Sequence, residues 1–162
     1  MTRATRSGGV LCAIGDGAAP GAVAAACRGA LLAVRDRLTT LQVDVYSDGP
    51  WPPDAVEAVQ ELDELRHARR SRLATRLGRE PSISLDLDPR DDHELGLALA
   101  IAPYTICGSG FDERWQLLWD VNDTGTSTTF VLLPHELDAV RAHVARSGGR
   151  RTDVVVLGGS IG

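Results

Sequence analysis

Two short stretches carry residue types whose spacing could do chemistry. The first is Gly15-Asp16-Gly17-Ala18-Ala19-Pro20-Gly21, set between an apolar run and an alanine-rich stretch of helical period. Backbone N–H groups in such a loop, together with the positive end of the following helix, would hold a phosphate. A second apolar run carries Asp44 and leads to Asp48, where a dinucleotide-binding unit places the acid that binds ribose. Three details count against that match: the spacing is GxGxxxG rather than GxGxxG, no Lys-Ser/Thr pair follows, and Asp16 would repel an anion. A glycine-rich turn that lets a small-residue helix pack close to a sheet would use the same residues. The second stretch is Asp86-Leu87-Asp88-Pro89-Arg90-Asp91-Asp92-His93-Glu94. Asp86 and Asp88 share one face of a strand, and with His93 they would make an oxygen-rich site for a divalent metal. The competing reading is a strand end followed by a helix that Asp91 or Asp92 caps, with Glu94 in its first turn.

Asp123-Thr124-Gly125-Thr126-Ser127, with the later Val154-Val155-Val156-Leu157-Gly158-Gly159, resembles the active-site signature of aspartic proteases. In that family paired aspartates share a proton and activate water. Asn122 stands where the family has an apolar residue, and a single such Asp would need a second copy of the chain to form a pair. A polar hairpin turn requires the same glycine. Cys107-Gly108-Ser109-Gly110 lacks the first glycine of a nucleophile elbow, and His135 and His143 lack HExxH spacing.

The elements that must position these residues follow from periodicity. Val10 to Ile14 reads as a buried strand, and Val23, Cys27, Leu31, Val34 and Leu38 make the stripe of a helix reaching about Leu38. Leu41 to Tyr46 alternates as a strand. A helix over 54–78 is acidic first (Glu57, Glu61, Asp63, Glu64) and basic later (Arg66, Arg69, Arg70, Arg72, Arg76), an order that complements its dipole. Ile83, Leu85 and Leu87 mark a third strand. A short helix then runs to Ala102, stopped by Pro103, before a strand over 104–108. Trp115, Leu117, Trp119 and Val121 read as the core face of one strand, which a turn joins to a partner over 128–133. A helix opened by Pro134 and a final strand over 153–157 complete the chain. The expectation is a single α+β or mixed α/β domain over 1–162, with a mixed sheet of six or seven strands, a central antiparallel hairpin and three or four helices. Residues 1–8 and 158–162 read as flexible tails.

Composition sets the class. A chain of 162 residues with 43% hydrophobic and 24% charged residues buries a full core without disulfides or metal. Cys12, Cys27 and Cys107 form no CxxC or disulfide framework. Arg3 and Arg6 precede an alanine-rich stretch ending at Cys27, but Asp16 and Pro20 interrupt it, so it does not read as an export signal. No apolar run is long enough to span a membrane, and the expected compartment is the cytoplasm. A net charge of −5 argues against a nucleic-acid surface. All 17 basic residues are Arg, which reads as bias toward GC-rich codons. With no coherent catalytic set, the leading expectation is a non-catalytic protein without cofactor that binds a protein partner. Trp51, in a Gly-Pro-Trp-Pro-Pro turn, would be the apolar anchor, and Asp86, Asp88, Asp91, Asp92 and Glu94 the charged contacts. The alternative is a nucleotide or phosphometabolite site at Gly15, Gly17 and Gly21 assisted by Asp44 and Asp48, with a divalent metal at Asp86, Asp88 and His93 as a further option.

Overall fold

A computed structural model of the chain describes residues 8–69 and 82–158. The basic run from Arg70 to Arg79 and the tail residues 1–7 and 159–162 lie outside them. Seven strands and four helices follow in the order β1 (Val10–Ile14), α1 (Pro20–Val34), β2 (Thr40–Tyr46), α2 (Pro53–Arg69), β3 (Ser82–Leu87), α3 (Asp92–Ile101), β4 (Cys107–Phe111), β5 (Leu117–Asn122), β6 (Ser127–Leu132), α4 (Pro134–Arg146) and β7 (Val154–Gly158). The expected α+β domain is what forms. Gly158, read from sequence as tail, closes the last strand.

The strands make one sheet in the order β3-β2-β4-β5-β6-β1-β7. Every pairing is antiparallel, so the sheet is uniform where a mixed one was expected. The reason is topological. β1-α1-β2 looks like a parallel crossover unit, but β4, β5 and β6 insert between its two strands, so no parallel neighbours remain.

All four helices lie on one face. Leu41, Val43 and Val45 of β2, Ile83, Leu85 and Leu87 of β3, and Trp119, Val121 and Phe130 point toward them and are buried. The small residues of α1 (Ala22, Ala25, Ala26, Gly29, Ala30) let it sit close to α4, where a side chain at Gly29 would meet His143 at 3.1 Å. Trp119 sits at the centre. Its Nε1 donates to the Cys27 carbonyl at 3.0 Å, and its ring occupies the space that Gly108 leaves free. Toward one end of the sheet, Arg37 clamps Glu136 of α4 through two hydrogen bonds of 2.8 and 2.6 Å.

The tryptophan strand differs from the alternation read in the sequence. Between Phe111↔Leu117 and Gly110↔Trp119 the register shifts, leaving Leu118 as a bulge. A bulge sends two successive side chains to the same face, so Leu118 joins Trp119 in the core and the residues before it turn outward. Leu117 is exposed. Trp115 falls in the loop ahead of the strand, 70% exposed.

Candidate functional site

The glycine loop lines the larger of the described clefts, about 690 Å³, together with the start of α1, Pro103, Tyr104 and the β5–β6 turn at Thr124–Thr126. The loop is a tight turn in which Ala18 N–H donates to the Gly15 carbonyl and Gly17 takes φ +80°, a conformation that selects glycine. Gly15 packs against Val155, and Gly21 faces open space. Little at this helix end is built for a phosphate. Pro20 supplies no N–H at the first helical position, Ala22 and Val23 already donate to Ala19, and the only charged side chain on the lining is Asp16. Asp44 and Asp48 do not line the cleft. Four strand-to-strand steps separate β1 from β2, roughly 19 Å at ordinary spacing. The sequence order that suggested a ribose-binding acid therefore does not become proximity.

The protease-like stretch forms the other wall. Asp123, Thr124 and Gly125 take positive φ in succession (51°, 58° and 86°). The turn is held by Asp123 and Thr124 N–H donating to the Ile106 and Thr105 carbonyls, each at 3.0 Å. The glycine is required by this conformation and by the closeness of Val23, 3.0 Å from where a Cβ would stand. Asp123 itself is exposed.

The acidic segment is engaged internally. Asp91 caps α3, accepting from His93 N–H at 2.8 Å and Glu94 N–H at 3.0 Å, and these bonds hold its carboxyl below the usual range. Glu94 accepts from Asp88 N–H at 2.8 Å and pairs with Arg69, Asp92 pairs with Arg35, and His93 turns to Glu61 at 3.0 Å. Asp88 binds the Arg90 N–H of its own turn. The capping role fits these contacts, and four of the five proposed charged contacts, all but Asp86, are already taken up within the chain. Among the described residues no group of three or more His, Cys, Asp or Glu is placed to hold a metal, and Asp86, Asp88 and His93 do not converge.

Trp51 is half-buried, packed against the core and the backbone of Gly49. Trp115 is the exposed tryptophan. It occupies the left-handed region at φ 60°, held by a loop in which Asp112 Oδ1 accepts from the N–H groups of Arg114 and Gln116 at 2.8 and 2.9 Å. Its ring leans on Phe111, centroids 5.7 Å apart. Beside it runs a groove of about 620 Å³ lined by Thr39, Thr40, Gln42, Arg69, Asp86, Leu87, Asp88 and Arg90. Sequence reasoning missed this site because exposure at 115 depends on the bulge at 118, two residues beyond the loop.

Cys107 and Ser109 lie on the uncovered face of β4, with Ser109 Oγ 3.5 Å from Asp120 and no histidine in contact. Cys12 and Cys27 are buried, and burial pushes the Cys27 thiol up to about 12. Among the described residues no helix is long and apolar enough to cross a membrane. No family model, curated protein or solved structure matches this chain.

Proposed function

We propose that this chain is a non-catalytic cytoplasmic protein that works by binding a protein partner, with Trp115 as the anchor. The observation that carries this reading is an exposed indole held in a backbone conformation that costs about 1–2 kcal/mol for a non-glycine residue. At this loop tip the ring contact with Phe111 does no more than offset that cost. An aromatic side chain presented rigidly beside a groove is what a binding interface uses at its centre.

The test uses this mismatch between cost and benefit. Trp115→Gly relieves the left-handed strain and gives up the Phe111 contact, effects of similar size, so stability stays within about 1 kcal/mol. Affinity capture from the native lysate compares wild type, Trp115→Gly, and Leu32→Ser at an exposed position on α1. The expected result is a defined protein retained by wild type and Leu32→Ser and lost with Trp115→Gly. Equal retention by Trp115→Gly, or no specific protein with wild type, overturns the reading.

A second reading, a small nucleotide or phosphometabolite in the cleft at Gly15–Gly21, is supported by the volume of that cleft and not by any anion-binding group on its lining. Gly21→Val would add bulk at the cleft lining, where a Cβ meets no atom within 4 Å. A thermal shift with a nucleotide panel that disappears in Gly21→Val supports this reading, and no shift in wild type removes it.

A further inference from the structure

We propose that the partner presents a basic segment, and that it lies along β2 on the sheet face the helices leave open. This inference rests on the partner-binding reading above and deepens it.

The charge distribution is one-sided. None of the seven strands contains Arg or His, and the only charged strand residues are Asp44, Asp86 and Asp120. Cross-strand pairing puts all three on the open face, since Asp86 stands opposite Gln42, Gln42 opposite Ser109, and Ser109 opposite Asp120, with Asp44 two residues along β2. Elsewhere on the molecule carboxylates find arginines or histidines, in nine ion pairs among the described residues. Among the described residues these three find none. Asp86 accepts only from the neutral Gln42 amide at 2.9 Å, Asp120 only from the Ser109 hydroxyl at 3.5 Å, and Asp44 Oδ1 is buried with no hydrogen-bond partner.

Spacing says what kind of cation fits. At ordinary strand geometry Asp44 lies about 8 Å from Asp86 and about 12 Å from Asp120, while Asp86 and Asp120 are about 14 Å apart. Those separations are too wide for one metal ion. They suit separate guanidinium or ammonium groups, because alternate side chains of an extended segment recur every ~7 Å. Aromatic rings bracket the row: Tyr46 is 49% exposed at one end of β2, and Trp115 stands at the other. Each ring offers its face to a cation. Arg69 at the rim is held by Glu94 and the Asp86 carbonyl, so it does not neutralise the row. The same sign of charge repels nucleic acid and a second copy of this face.

The test measures binding of labelled peptides to the full chain by fluorescence anisotropy. One peptide of about a dozen residues alternates Arg with Ser, its control alternates Glu with Ser, and a short DNA duplex serves as a third probe. The Arg peptide is expected to bind, weakening as salt rises from about 50 to 500 mM, while the other two do not bind. Asp44→Asn/Asp86→Asn/Asp120→Asn is expected to weaken it at least about tenfold. Asp36→Asn/Glu57→Gln/Glu64→Gln removes the same charge from the other side and changes it by less than about twofold. Equal loss in both triple variants means net charge alone and overturns the proposal, as does binding of the DNA. A gain of about tenfold on replacing Arg70, Arg72, Arg76 and Arg79 by Ala makes the chain's own arginines the occupant and also overturns it. If the open-face triple variant binds the Arg peptide normally while Trp115→Gly still loses its captured protein, only this inference fails. Undiminished capture by Trp115→Gly refutes the underlying reading instead.

Discussion

Replacing Glu136 by Ala should be among the most damaging single changes to this protein. Its side chain is 5% exposed and accepts three hydrogen bonds, from Arg37 Nε, Arg37 Nη2 and the Leu133 N–H at 2.8, 2.6 and 2.7 Å. Removing it strands a guanidinium that is only 24% exposed and uncaps the first turn of α4. Losing one member of a buried pair costs about 3–5 kcal/mol. For 162 residues, an unfolding entropy of about 2.1 cal/mol/K per residue gives roughly 0.34 kcal/mol/K, so Tm should fall by about 9–15 °C. Differential scanning calorimetry on Glu136→Ala, Arg37→Met and the double variant measures this. The double variant should be less unstable than the sum of the singles by more than about 1 kcal/mol, because it leaves no charge stranded. A fall below about 3 °C for Glu136→Ala, or strict additivity, would refute the argument that the pair is buried and mutually dependent.

Other expectations follow from the same geometry. Gly108→Ala places a Cβ 2.7 Å from the Trp119 ring and should cost about 1–3 kcal/mol, with a changed near-ultraviolet signal from that indole. A thiol reagent should label one of the three cysteines, Cys107, in the native protein and all three in denaturant. Fast native labelling of Cys27 would contradict its burial. The lowered carboxyls of Asp91 and Asp153 stabilise the fold above their unfolded values, and that contribution is lost as pH falls through the lower folded values. Tm should therefore decline mainly below about pH 4, and Asp91→Asn should flatten part of that decline.

What was legible in the sequence is what depends on near neighbours. The Val23–Val34 stripe, the proline starts of α1, α2 and α4, and the Asp91 cap are all settled within a turn or two of chain. The alternation of Gln42, Asp44 and Tyr46 with buried partners already marked a half-covered strand, and taken with Asp86 it could have pointed to the open face. Strand order was not legible, because inserting β4–β6 between β1 and β2 depends on pairings more than sixty residues apart. The exposure of Trp115 has a local cause. One extra residue in β5 reverses the facing of everything before it, and nothing in Leu117-Leu118-Trp119 distinguishes a bulge from regular alternation.

The placement of β1 also has a consequence for biosynthesis. Its neighbours are β6 and β7, and Val10 pairs with Leu132, so during synthesis β1 finds neither of its partners until roughly 120 further residues have been made. At 5–20 residues per second that wait is about 6–24 s. During it Val10–Ile14 is an apolar segment with unpaired N–H and C=O groups on both sides, a ready template for aggregation. Nascent chains stalled before β6 should therefore engage holding chaperones through Val10–Ile14, whereas chains released after β7 should not.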